Sequence, residues 1–201
     1  MTPFARVALL PVAAPLLAGC ALAASVAQGP PEDLSTWSLT PLAPDPALAA
    51  SAIGEDGACR MDDPTDNLVA PQPQILVQDR RTQNTAAFLV LSPQHFGDCT
   101  VSRGTGSSGG YGPLLGAMNG QLTIENTSSG TVGEGSASTL GGRIAVPGAQ
   151  VVVELRDGRR VPASVANGYW LMWWPSTTAA ARVVALRPDG TEAASLDVVN
   201  P

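Results

Sequence analysis

The chain predicts an α+β fold that is mostly β: a short helix on a small antiparallel sheet, followed by an antiparallel β-sandwich or partly open barrel. Three observations predict it. Asp157-Gly158, Asn167-Gly168 and Asp189-Gly190 each stand between β-rich runs, and such dipeptides favour tight hairpins because both turn residues tolerate positive φ. Two apolar runs, Gln74–Val77 and Ala86–Leu91, flank the polar stretch Asp79–Asn84 and read as a further hairpin. One short Ala-rich run, Ala47–Ile53, reads as helix.

Taken in order, residues 1–19 have the three parts of a secretory leader. Arg6 supplies the positive charge, Val7–Ala18 is apolar, and small residues precede Cys20. The apolar part is broken by Pro11 and Pro15 and is too short for a permanent span, which needs about 20 residues. The stretch Leu16-Leu17-Ala18-Gly19-Cys20 resembles the lipobox of bacterial lipoproteins. That resemblance implies cleavage before Cys20, acylation of Cys20, palmitate among its acyl chains, and residence at the outer face of the bacterial cytoplasmic membrane. Two or more chains give stable attachment where one is marginal, since each buried methylene contributes about 0.8 kcal/mol. Ala21-Leu22-Ala23 offers the alternative of an ordinary secretory cleavage, which would discard Cys20.

Residues 20–50 read as the lipidated N-terminus and a Pro-rich tether, because Pro30-Pro31, Pro41, Pro44 and Pro46 disfavour a continuous helix. Ala21–Asp33 can reach at most about 45 Å. Trp37 and Leu39 mark where the tether meets the folded body.

Residues 51–103 form a small α+β part. Asp45 suits the N-cap of the helix, and Gly54 or Gly57 its end. The run Asp62-Asp63-Pro64-Thr65-Asp66-Asn67 invites a calcium reading but lacks the alternating ligands and closing Glu of an EF-hand, so it reads as a solvated turn. Cys99-Thr100-Val101 is a third strand beside the first hairpin. Cys59 and Cys99 are an even pair in an exported context and read as a disulfide stapling helix to sheet, with two buried free thiols as the alternative. The loop so closed, about 41 residues, corresponds to roughly 4 kcal/mol of lost unfolded-state entropy. His95 is the single histidine and reads as a loop residue.

Residues 104–120 open with Gly104-Thr105-Gly106-Ser107-Ser108-Gly109-Gly110, which lacks the Lys of a phosphate loop and reads as a flexible loop and natural boundary. Residues 121–201 read as an antiparallel β domain. Leu122–Ile124 is its first strand, Asn126–Ser138 a polar turn region, and Val151–Leu155 meets Val161–Val165. Tyr169–Trp174, Val183–Leu186 and Ala193–Val199 follow as strands. Residues 140–195, with Asp157-Gly158-Arg159-Arg160-Val161 and Trp173-Trp174-Pro175, resemble a β module of uncharacterised actinobacterial exported proteins. All 11 basic residues being Arg adds to that resemblance.

In Tyr169–Trp174, alternation puts Trp170, Met172 and Trp174 on one face and Tyr169, Leu171 and Trp173 on the other. Both faces are apolar, as in a central buried strand. The competing reading makes Tyr169, Trp170, Trp173 and Trp174 a binding platform for a cell-wall glycan or a protein partner.

Without the leader, 10 Arg stand against 17 acidic residues, a net charge of −7, which excludes an electrostatic footprint for nucleic acid and leaves the lipid anchor as the membrane attachment. The sequence presents no nucleophile–base motif, metal-ligand cluster or nucleotide fingerprint, and a carboxylate pair such as Glu125 with Glu134 is not distinctive in an acidic chain. No catalytic residue, metal or cofactor is therefore assigned. The expectation is a non-enzymatic, lipid-anchored, extracytoplasmic binding or interaction module; the alternatives are an extracytoplasmic sensor or accessory part of a signalling system, or a cryptic cell-wall hydrolase.

Overall fold

The computed structural model describes residues 36–54, 57, 59, 73–93, 95–103, 105–132, 135–175 and 178–199. Cys20, the leader, the acidic run 62–67 and Glu134 lie outside them. The described chain is mostly β, with one helix and three four-stranded antiparallel sheets that stay open rather than closing into a barrel.

Helix α1 (Pro46–Ile53) forms where expected. The Asp45 carboxylate accepts from the N–H groups of Ala47 at 2.9 Å and Leu48 at 3.3 Å, Pro46 occupies the first turn, and Gly54 closes the end. Leu48 and Ala52, four apart, are its buried stripe.

That stripe lies on sheet 1, made of β1 (Gln74–Arg80), β2 (Thr85–Leu91), β3 (His95–Ser102) and β4 (Thr105–Pro113) in that order. The two-residue period of a strand explains how β2 is buried along nearly its whole length. Ala86, Phe88 and Val90 join Leu48 and Ala52 on the helix side, while Ala87 and Leu89 face the next sheet.

Sheet 2 is the middle layer, in the order β5 (Asn126–Val132), β6 (Gly135–Arg143), β10 (Tyr169–Trp174), β9 (Ser164–Ala166). Sheet 3 has the order β12 (Glu192–Asp197), β11 (Ala180–Leu186), β7 (Gln150–Leu155), β8 (Arg160–Pro162). Because sheet 2 is covered on both sides, β10 is apolar on both. Leu171 and Trp173 pack with Leu76, Val77, Leu89 and Phe96 of sheet 1, whereas Trp170, Met172 and Trp174 pack with Val151, Val153, Val161 and Val183 of sheet 3. The molecule is thus four layers deep: helix, sheet, sheet, sheet.

All three dipeptides form hairpin turns with Gly158, Gly168 and Gly190 at positive φ, but only Asn167, at φ 55°, joins its glycine there; Asp157 and Asp189 do not. The single strand expected at Val161–Val165 is instead two. It breaks at Ala163, so that β8 pairs with β7 in sheet 3 and β9 pairs with β10 in sheet 2, and the chain passes between layers as sandwich corners do.

Two loop readings are corrected. Residues 105–113 are not a loop but strand β4, paired with β3 from His95↔Pro113 to Ser102↔Thr105. Glycine suits this pairing, since a Cβ on Gly97 would overlap the Gly110 carbonyl and the Tyr111 ring. Residues 126–138 are not a turn region but β5 and the start of β6, a hairpin with register Asn126↔Gly141 to Val132↔Gly135. The expected strand Leu122–Ile124 is an irregular extension of that pairing, held by Thr123 N–H to the Arg143 carbonyl and Glu125 N–H to the Gly141 carbonyl.

Candidate functional site

Between sheets 1 and 2 the apolar centre is flanked by two buried carboxylates, Asp79 on β1 and Asp98 on β3, each fully enclosed in a polar network.

Asp79 and Arg81 lie two apart, so both point to the same side of the chain at the end of β1. The Arg81 Nε–H donates to both Asp79 oxygens at 2.9 Å, and neither side chain is exposed. Ser164 of β9 donates to the same carboxylate at 2.7 Å, and Trp173 of β10 donates its backbone N–H to it at 3.1 Å and its indole N–H to the Asp79 carbonyl at 2.9 Å. The two remaining Arg81 nitrogens donate at 2.5 Å to the carbonyls of Leu39 and Pro162. Pro162 adjoins the break between β8 and β9, so this pair holds the crossing point of the chain. Burial pushes the Asp79 carboxyl up, while Arg81, Ser164 and Trp173 pull it back.

The same arginine receives the segment from Trp37 to Leu42. Trp37 lies under its guanidinium, 5.5 Å from centroid to Cζ, and meets Trp173 edge-on at 6.5 Å. Ser38 N–H to the Arg81 carbonyl and Leu42 N–H to the Arg80 carbonyl zip the following residues along β1. Trp37 and Leu39 thus do touch the body, Leu39 through its carbonyl, its side chain being half exposed.

Among the described residues Asp98 has no such cation. Its partners are the Asn126 side-chain amide and the Ser128 hydroxyl, the latter at 2.8 Å, both from β5, together with the Gly110 N–H. Burial is the largest influence and pushes this carboxyl above the ordinary range; Ser128 and Asn126 partly offset it. The nearby Tyr111 phenol is also pushed up, by its burial and then by the Asp98 charge. Ser128 also lines a cavity of about 70 Å³ bounded by Thr100, Thr139 and the Ser129–Gly130 segment.

Of the residues singled out in the sequence, Cys59 and Cys99 come together. Their Cα atoms are 5.5 Å apart, the sulfurs lie at bonding distance, and both are buried among Leu48, Ala52 and Phe88. The Cys59 N–H also donates to the Ala52 carbonyl, tying the end of α1 to β3. The aromatic platform is overturned: Trp170 and Trp173 have no exposed surface, Trp174 has 2 %, and Tyr169 is half-buried against Phe96. Covered by sheets on both sides, the strand leaves no ring face of Trp170, Trp173 or Trp174 for a sugar. His95 opens β3 rather than sitting in a loop, with its backbone bonded to Ser92. Glu125 pairs with Arg143 at 2.6 Å.

Sequence reasoning missed Asp79, Arg81, Asp98, Asn126 and Ser128 as network members. A signal existed: Asp98, Thr100 and Ser102 form an alternating polar stripe, and Asp79 and Arg81 are spaced for one face of a strand.

Among the described residues no three His, Cys, Asp or Glu side chains gather to hold a metal, and no helix is long and apolar enough to cross a membrane. The chain matches no protein-family model, no curated protein and no solved structure.

Proposed function

We propose that this protein is an extracytoplasmic module anchored through lipid on Cys20 to the outer face of a bacterial membrane, where it binds a partner rather than catalysing a reaction. The observation that carries the compartment is the Cys59–Cys99 pair at disulfide distance, which suits an oxidising environment. The lipobox-like stretch before Cys20 supplies the attachment. The non-enzymatic reading rests on the use made of the two buried carboxylates, both of which are engaged in joining layers of the fold. With Trp37 seated on Arg81, the roughly 16 residues between Cys20 and Trp37 allow a reach of at most about 55 Å.

The test is metabolic labelling with radioactive palmitate in a bacterial host. The wild-type chain takes up label and fractionates with membranes, and Cys20→Ala loses both. Equal labelling of the two proteins, or none of either, removes the anchor from the reading.

A further inference from the structure

We propose that Asn119 is a site of self-catalysed covalent modification, converting through a cyclic imide to isoaspartate and aspartate. Among the described residues the chain has four Asn-Gly or Asp-Gly dipeptides, beginning at Asn119, Asp157, Asn167 and Asp189. In each, a glycine without a Cβ leaves its backbone nitrogen open beside the carbonyl carbon of the preceding side chain. In three of them that side chain is held. Asn167 donates to the Leu76 carbonyl at 3.3 Å, Asp157 accepts from the Arg159 N–H at 3.1 Å and its Nε–H at 2.8 Å, and Asp189 accepts from the Thr191 N–H at 2.9 Å and hydroxyl at 2.7 Å. These three also lie in the tight turns of hairpins. The two aspartates are protected further, because hydrogen bonds from Arg159 and Thr191 hold their carboxyls below the ordinary range and a carboxylate resists nucleophilic attack.

Asn119 has none of these restraints. Asn119 and Gly120 are exposed in the irregular connection between β4 and β5, and among the described residues neither the Asn119 side chain nor the Gly120 N–H makes a hydrogen bond. Gly120 stands at φ 91° with nothing within 4 Å of the place a Cβ would take, so the backbone is free to turn toward the side chain. The Gly120 nitrogen, its proton lost to hydroxide, attacks Asn119 Cγ; that C–N bond forms, the Cγ–Nδ2 bond breaks and ammonia leaves. Water then opens the imide at either carbonyl, with no oxidation or reduction. The product puts a carboxylate into residues 105–124, which carry no charged side chain. Isoaspartate also reroutes the main chain through Cβ just before Gln121, whose carbonyl accepts from the Ala145 N–H at 2.9 Å.

The experiment is incubation of the purified full chain in mildly alkaline buffer, with and without urea, followed by peptide mapping by mass spectrometry and enzymatic methylation of isoaspartate. In the folded protein Asn119 converts roughly tenfold or more faster than Asn167, whose hydrogen bond and turn must first open. The product is a mixture of isoaspartate and aspartate. In urea the two Asn-Gly sites convert at similar rates, and Gly120→Ala slows conversion at Asn119 alone. Equal rates in the folded chain, a gap that persists in urea, or conversion at Asn119 only in urea overturns the inference; aspartate formed without isoaspartate shows direct hydrolysis and overturns the imide route.

Discussion

Arg81 joins three separate parts of the described chain: it bonds the carbonyl of Leu39, the β8–β9 crossing at Pro162 and the carboxylate of Asp79. Removing it leaves a buried charge uncompensated, whereas removing both charges does not. Arg81→Ala is therefore expected to cost about 3–5 kcal/mol, read from the urea midpoint, and Asp79→Ala with Arg81→Ala less than the sum of the two single changes. Additive costs would mean that the pair is not coupled. Asp98 acts through pH. Its carboxyl is held above the ordinary range when folded, so the stability it contributes is present below the unfolded carboxylate pKa and lost as pH rises through the folded value. Asp157 and Asp189 do the opposite: hydrogen bonds from Arg159 and Thr191 hold them low, and their contribution is lost as pH falls through their folded values. Wild type should lose stability relative to Asp98→Asn on going from acid to neutral pH; a pH-independent difference would contradict the raised value.

At the scale of elements, turns were legible and polar strands were not. Asn167 at φ 55° and Gly168 at φ 80° adopt what the dipeptide demands, and Asn167 also donates to the Leu76 carbonyl of sheet 1. Asn167→Ala should lower stability by about 1–2 kcal/mol from backbone strain, seen as a lower Tm, with Asn167→Gly costing less. The helix was readable because its cap, its first-turn proline and its closing glycine are local signals. Strands β4 and β5 escaped because Gly and Ser carry little hydrophobic alternation; they are strands by virtue of backbone pairing to β3 and β6. Their polar character follows from where they lie, since β5 turns Asn126 and Ser128 toward Asp98 rather than toward a dry core.

At the scale of the molecule, the helix layer is held to sheet 1 by the small cluster around Leu48, Ala52 and Phe88 together with the cysteine pair. Replacing Cys59 and Cys99 by Ser is expected to cost about 2–5 kcal/mol, and thiol-specific reduction of the wild type should lower its urea midpoint toward that of the double variant. A midpoint unchanged by reduction would show that the two cysteines are not bonded. The sequence by itself determined what depends on neighbours along the chain: the capped helix, the three dipeptide hairpins, the cysteine pairing, and the double-sided apolar character of Tyr169–Trp174. Tertiary structure alone decided that this strand lies in the middle of three sheets, so that its tryptophans are core, and that the polar residues Asp79, Arg81 and Asp98 are buried. Periodicity reports which residues share a face. It carries no information about what covers that face, because burial is set by contacts between residues such as Asp79 and Trp173, 94 positions apart.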